Sequence, residues 1–195
     1  MRTFINKKTF FNLKEVDKLE FIGKTIKIRT PKLSDADNIY NNIKDKEIAK
    51  WTLRIPHPYP KDGAKKFIRR CHLKSKNKKG YFFVITNLEN NNAIGGISLN
   101  EIDLKHKNAV LGYWLGKKHW GQGIMSEAVD LILKFGFKEL KLHRISSDAF
   151  EPNIASQKVL KKNGFKVEGL LRETHFKHNK WQNQVAMSIL KSDYK

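Results

Sequence analysis

Between Tyr81 and Gly116 the chain carries three β-type segments in a row: YFFVITN, AIGGISLNEI and NAVLGYWLG. Only the polar stretches LENNN and DLKHK separate them. Turns this short cannot make the crossover that a parallel pair needs, so the three must pair as an antiparallel meander. The other segments arrange around that sheet. KTIKIRT (Lys24–Thr30) alternates as a strand does, with Ile26 and Ile28 on one face. LSDADNIYNNI reads as a helix start, with Ser34 as N-cap and Asp37 three residues on. AKWTLRIPHPYP, with Pro56, Pro58 and Pro60, reads as a loop, and KDGAKKFIRRCHLKSK as a basic helix. Downstream, SEAVDLILKFGFKEL sets Ala128, Leu131, Ile132 and Phe135 at helical spacing. HRISSDAF reads as a strand and NIASQKVLKKNGF as a short helix ending at Gly164; VEGLLRETHF and NQVAMSIL read as strands around the turn HNKWQ. The order β-α-α-β-β-β-α-β-α-β-β predicts one mixed α/β (α+β) domain over residues 24–195 around a central sheet. Residues 1–23 precede it as a charged, aromatic N-terminal extension.

Charge bounds the partners. Lys and Arg total 39 against 19 Asp and Glu, a net +20. Such an excess favours anions: nucleic acid, the ribosome, a membrane surface or a phosphorylated cofactor. The lysines are spread along the whole chain, so a purely compositional origin stays equally open. The lone cysteine, Cys71, excludes an intramolecular disulfide and a multi-cysteine zinc site, and no metal is expected. The start MRTFINKKTFF lacks the apolar core of a signal peptide, and no apolar run reaches spanning length. The expectation is a soluble cytoplasmic protein without a membrane partner, monomeric or homodimeric.

The stretch KKHWGQGIMSEA (Lys117–Ala128) follows a strand and opens a helix. That arrangement presents free backbone N–H groups to an anion. Gly121 and Gly123 permit a tight turn and close approach of phosphate oxygens. G-x-G alone is not decisive. Ser126 stands where a dinucleotide fingerprint has its third glycine, and no GK[ST] follows. From these residues alone the stretch is either a phosphate cradle or a plain turn.

LGYWLGKKHWGQGIMSEAV together with NIASQKVLKKNGF resembles the GNAT superfamily of acyl-CoA N-acyltransferases. More closely it resembles the RimJ/RimL-like branch, which acetylates protein N-terminal amines, ribosomal proteins among them. KWTLRIPHPYPKDGAKKFI is similar to that branch's substrate-side loop and helix. The resemblance runs from about Lys24 to Leu190. It implies a mostly antiparallel twisted sheet with helices on both faces, splayed between NAVLGYWLG and HRISSDAF, and acetyl-CoA as cofactor. It further implies that backbone N–H groups of His119, Trp120, Gly121, Gln122, Gly123 and Ile124 hold the pyrophosphate, assisted by Lys117 and Lys118. Lys118 occupies the first position of the family's Q/R-x-x-G-x-G/A signature. It keeps the charge without the bidentate fork.

In the same family a backbone N–H late in the first splayed strand, here near Trp114 or Leu115, polarises the thioester carbonyl. Asn153 bonds the cofactor arm or caps its helix. The resemblance makes Ser156 the candidate proton donor to the thiolate: many members carry a tyrosine where this chain has Leu160, but RimJ/RimL-like proteins commonly lack it and use the serine. Val110 stands where many relatives carry a glutamate base, which leaves Glu101 and His175 as candidates. Glu127 reads as a charge at a helix N-terminus. Trp51 and Tyr59 wall the acceptor site.

The activity implied is acetyl transfer to a primary amine. A protein α-amine, with a pKa of about 7.7–8.0, is already neutral in part at pH 7, whereas a lysine amine near 10.4 is not. Polyamines, amino-sugars and cationic drugs form the second acceptor class, and they need an acidic pocket built against the chain's own field. A non-enzymatic, basic ribosome- or RNA-associated protein is the third reading, although no RNA-reading signature is present.

Overall fold

The three-strand meander forms the middle of an eight-stranded sheet. In the computed structural model, which describes residues 19–177 and 179–194, the strands are β1 (Glu20–Ile22), β2 (Ile26–Arg29), β3 (Gly80–Asn87), β4 (Ala93–Asp103), β5 (Asn108–Leu115), β6 (Arg144–Phe150), β7 (Lys166–Lys177) and β8 (Lys180–Leu190). Their spatial order is β1-β2-β3-β4-β5-β6-β8-β7. Every neighbouring pair is antiparallel except β5–β6. That parallel pair needs a crossover, which α4 (Ile124–Lys134) supplies. The β5–β6 ladder has only three pairs, from Asn108 with Arg144 to Val110 with Ser146. Past Val110 the two strands part, which is the splay the resemblance implies.

Each sheet face has its own core. On one, α4 packs on the inward residues of β2–β6, and the Phe135 ring lies 5.2–5.3 Å from those of Phe21, Tyr81 and Phe83. On the other lie α1 (Ala36–Ile43), α2 (Lys46–Trp51) and α3 (Gly63–Lys76), whose Ile39, Ile43, Ile48 and Ile68 pack with Val84 and Trp114. Gly96 makes room for that tryptophan: a Cβ there would lie 2.7 Å from Trp114 Nε1 and 2.5 Å from the Phe82 ring. A short helix, α5 (Ile154–Lys162), returns on the α4 side, and Gly164 at φ +87° ends it as the sequence predicts. Among the described residues no helix is long and apolar enough to cross a membrane.

Several local expectations change. Glu20–Ile22, inside the stretch assigned to the extension, pairs with β2 as an edge strand, while residues 1–18 lie outside the described residues. The proline-rich loop begins only after Trp51. Before it, Asp45 caps α2 by accepting from the Glu47 N–H (2.9 Å), and Ile48 and Ala49 are buried. Asp35 takes the place of Ser34 and Asp37 at the start of the first helix. Its carboxylate accepts from the Lys32 N–H (2.7 Å) and binds both terminal nitrogens of buried Arg29 at 2.8 Å. The guanidinium needs a carboxylate partner there, which serine cannot provide. The β7–β8 ladder runs to Lys177 paired with Lys180, so Trp181 and Gln182 belong to the strand and not to the turn. Glu127 is more than a helix-end charge: it accepts from the Thr25 N–H (2.9 Å), from the Thr25 hydroxyl (2.6 Å) and from the Lys24 N–H, fastening the β1–β2 turn to α4.

Candidate active site

The parting of β5 from β6 leaves a half-used ladder edge. The Gly112 carbonyl accepts from Ser98 Oγ (3.2 Å) and the Gly116 N–H donates to Ile94 O (2.9 Å), so even-numbered residues of this strand face β4. By alternation Leu111, Tyr113 and Leu115 turn their backbone groups toward the opening. Ser147 Oγ donates to the Leu111 carbonyl (3.1 Å), and the Trp120 indole donates to the Leu115 carbonyl (2.7 Å). The N–H and C=O of Tyr113 and the N–H of Leu115 lie beyond the last β6 pair. An extended, amide-bearing chain can pair with them as an added strand does. Of the two N–H groups the sequence singles out, only that of Leu115 faces the opening; that of Trp114 faces β4.

At the end of β5 the chain makes a 3-10 turn over Lys117–His119, closed by His119 N–H to Gly116 O (2.9 Å) and Trp120 N–H to Lys117 O (3.1 Å). Gln122 Nε2 holds the turn through the Lys118 carbonyl (3.1 Å). Gly121 and Gly123 then sit at φ +75° and +77°, a region that only glycine enters without strain. A Cβ built on either would meet nothing within 4 Å, so the backbone here borders open space. The N–H groups of residues 121–126 have no acceptor within the described protein; the first helical bond, Glu127 N–H to Gly123 O (3.2 Å), comes after them. Six free donors at the positive end of an 11-residue helix suit a diphosphate. Lys117 and Lys118 are exposed beside them. His119 is held below its ordinary pKa, first by burial and then by Lys118, so it adds no positive charge near neutral pH.

Across the opening, α5 brings two of the expected groups together, and β5 adds an unexpected third. Asn153 caps the helix, its Oδ1 accepting from the Ser156 N–H (3.2 Å). The Ser156 hydroxyl lies 2.7 Å from the hydroxyl of Tyr113 on β5. Burial pushes that phenol up to about 12, with the Ser156 bond opposing, so it stays protonated at any working pH. Leu160, where relatives carry a tyrosine, is fully buried in the core. A phenol does reach the site, from the strand instead of the helix. Tyr113 escaped the sequence reading because its partner is 43 residues away; the one local signal is that it shares a strand face with Leu111 and Leu115.

The motif geometry has a counterpart among known proteins. Residues 25–166 match the family model described as an acetyltransferase (GNAT) domain. The chain belongs to the GNAT family. It is 33% identical over 175 residues to a Bacillus subtilis protein named "Probable N-acetyltransferase YjcK", covering 88% of this chain and 97% of that one. It is similar in structure to the ribosomal-protein-S5-alanine acetyltransferase of Vibrio fischeri, at TM-score 0.81 and 26% identity over 91% of this chain and 99% of that one. The spermidine N(1)-acetyltransferase of Escherichia coli is 27% identical over 100 residues, 51% of this chain and 54% of that enzyme. This GNAT protein is therefore an N-acetyltransferase, and solved structures of the same fold hold acetyl-CoA or coenzyme A. The open ladder edge and the six free N–H groups fit an extended amide-bearing arm ending in a diphosphate, which is the shape of coenzyme A.

A separate opening lies beside the end of α2. A cavity of about 350 Å³ is lined by Ala49, Leu53, Arg54, Ile55, Pro56, His57 and Lys177. The Lys177 ammonium closes it, donating to the carbonyls of Ala49 and Thr52 at the end of α2. Trp51 is half-buried on α2 with the Lys50 ammonium 4.7 Å above its ring. Tyr59 packs against Tyr40 and the open side of Gly63, so it supports the loop that lines the cavity. Glu101 sits in a bulge at φ +51° with its carboxylate held by Arg54 (3.1 Å). His175 lies on β7, its Nδ1 3.1 Å from Thr174 Oγ1. Neither reaches the Tyr113–Ser156 pair by a hydrogen bond.

Proposed function

We propose that this N-acetyltransferase acts on a protein N-terminal α-amine, of the kind presented by ribosomal proteins. The observation that carries this is the acceptor cavity: Arg54, His57 and Lys177 line it and no acidic residue does. A polyamine with several ammonium groups would meet like charges there. A peptide start presents a single amine on an otherwise neutral backbone. The likeness to the S5-alanine enzyme over nearly the whole of both chains supports the same reading.

The residues divide the work as follows. The N–H groups of residues 121–126 bind the pyrophosphate, with Lys117 and Lys118 beside them. The backbone of Tyr113 and Leu115 pairs with the pantetheine arm, and the Leu115 N–H polarises the thioester carbonyl. When bound, acetyl-CoA supplies an activated acyl group. Ser156 gives its proton to the departing sulfur, and the Tyr113 hydroxyl donates to Ser156 Oγ as that oxygen gains charge. Asn153 sets the position of Ser156 through the cap. Holding amine and thioester together accounts for much of the remaining acceleration.

The test is acetyl transfer measured against peptides with unblocked N-termini and, in parallel, against spermidine and amino-sugars. A kcat/KM at least tenfold higher for a peptide is expected. Preference for spermidine would overturn the N-terminal reading.

A further inference from the structure

Past the last β5–β6 pair, strand register fixes which side chains face the acceptor. Val110 pairs with Ser146, so Val110, Gly112 and Trp114 of β5 share a face with Ser146, Asp148 and Phe150 of β6. Trp114 marks that face as the one covered by α1 and α3. Carrying the register one step on sets Asp148 level with Gly112 across the opening. Gly112 adds no side chain to that face, where a Cβ would stand 3.4 Å from Asn100 Nδ2 and 3.6 Å from Ser98 Oγ on β4. One residue further, on the opposite face, Tyr113 meets Ser156.

Asp148 has small and polar neighbours on its sheet face, beside the cavity that Lys177 closes. On β8 it pairs with the small Ala186, and Phe150 pairs with Gln184. His175 pairs with Gln182, so β7 turns His175 to the same face. Lys177 has its ammonium 5.9 Å from the Phe150 ring centre. Asp148 is solvent-exposed, and its carboxylate has no hydrogen-bond or ion-pair partner among the described residues. It differs in this from Glu101 and Glu168, which are bound by Arg54 and Arg144.

We propose that Asp148 receives the acceptor's ammonium group and takes the proton it must lose before attack. This rests on the acetyl-transfer reading above and extends it to the acceptor. One N–H bond of the ammonium breaks and an O–H bond forms on Asp148. The freed nitrogen lone pair makes the C–N bond as the C–S bond breaks, and the sulfur takes its proton from Ser156. The amide nitrogen's surplus proton passes through solvent to restore the serine, and Asp148 releases its own to solvent. A single unpaired carboxylate suits a single ammonium group, as on a peptide N-terminus.

The titratable groups that act on Asp148 are His175 and Glu168 from β7; Lys177 shares the His175 face of β7, and Arg54, which holds Glu101, and His57 line the cavity that Lys177 closes. Although the residue is open to solvent on one side, the protein packed around its carboxyl desolvates it in part and raises it above its usual range; His175 opposes that shift and Glu168 adds to it. The direction favours a better proton acceptor.

Asp148→Asn and Asp148→Glu are compared with the unmodified chain, using a peptide with a free N-terminal alanine and spermidine as acceptors. Asp148→Asn is expected to lower kcat/KM about 100-fold, to raise the acceptor KM and to abolish the acid limb of the pH–rate profile. Acetyl-CoA affinity and melting temperature stay unchanged, and Asp148→Glu recovers part of the rate. A rate for Asp148→Asn within about threefold of the unmodified chain at every pH overturns the proposal. So does a rate loss matched by an equal loss of acetyl-CoA affinity. If spermidine is the acceptor turned over, the N-terminal reading fails, and Asp148→Asn is judged on spermidine by the same criterion.

Discussion

Tyr113→Phe tests the proton relay with little disturbance to the fold. The substitution removes one hydroxyl and leaves the ring in place. In the resting protein that hydroxyl makes a 2.7 Å bond to Ser156 Oγ, a neutral bond contributing about 0.5–1.5 kcal/mol. Ser156 is half-buried, and water can replace the lost partner, so stability should change by less than about 1 kcal/mol. In the transition state the serine oxygen gains negative charge as its proton moves to sulfur. The same bond is then charge-assisted and contributes about 1.5–3 kcal/mol. The difference, about 1.4 kcal/mol, is a tenfold loss in kcat. Ser156→Ala removes the donor itself and should cost about 10²-fold or more. The double variant should be no slower than Ser156→Ala, because the phenol acts only through the serine. The assay is release of free thiol under saturating acetyl-CoA and acceptor, with acetyl-CoA affinity measured by calorimetry. Unchanged turnover for Ser156→Ala would clear it of the acid role. A double variant whose loss is the product of the two single losses would refute the relay.

Two further outcomes follow from geometry and charge. Gly123→Ala forces a side chain onto φ +77°, a strain of about 1–2 kcal/mol, and places a methyl in the open cradle. Acetyl-CoA should bind about tenfold more weakly while pantetheine, which lacks the pyrophosphate, is unaffected; equal calorimetric losses for both would refute the cradle. Glu168 is held down to about 2, first by hydrogen bonds from Arg144 and Ser188. Its folded value lies below its ordinary 4.5, so the stability it contributes is present above pH 4.5 and is lost as pH falls toward 2. Glu168→Gln should flatten the urea-midpoint profile across that window by a modest amount, because the pair is partly exposed; an unchanged slope would refute the assignment.

The legible parts of this chain are those fixed by local pattern. The meander, the α4 stripe of Ala128, Leu131 and Ile132, and the Asn153 cap all declare themselves within a few residues. So does the glycine loop, because positive φ at positions 121 and 123 is a local demand. What escaped is set by distant contacts. The strand Glu20–Ile22 has too few residues to show a period and exists by pairing with β2. The α2 helix was hidden by the prolines after it, although Asp45 followed by buried Ile48 was a readable start. Arg29 recruits Asp35, which moves the helix cap away from Ser34. Tyr113 and Ser156 become a pair only once β5 and α5 are packed together.

The same distinction explains why the sequence names a cofactor more readily than an acceptor. The cofactor half is nearly contiguous, running from β5 through the loop into α4, with α5 close behind. Its requirements are backbone ones, so a short motif preserves them. The acceptor half as proposed is assembled from the end of α2, the loop after it, β6 and the β7–β8 hairpin, with Lys177 bonded to a carbonyl 128 residues away. Its requirements are side-chain charges, and these are set against a net +20. A positive field draws in a phosphorylated cofactor and repels an ammonium acceptor. Acceptor choice then depends on how many carboxylates on that face are left unneutralised. Arg54 removes Glu101 from that number and Arg144 removes Glu168. Under the proposed role Asp148 is the carboxylate left to meet the acceptor, and one such charge suits one amine better than a polyamine.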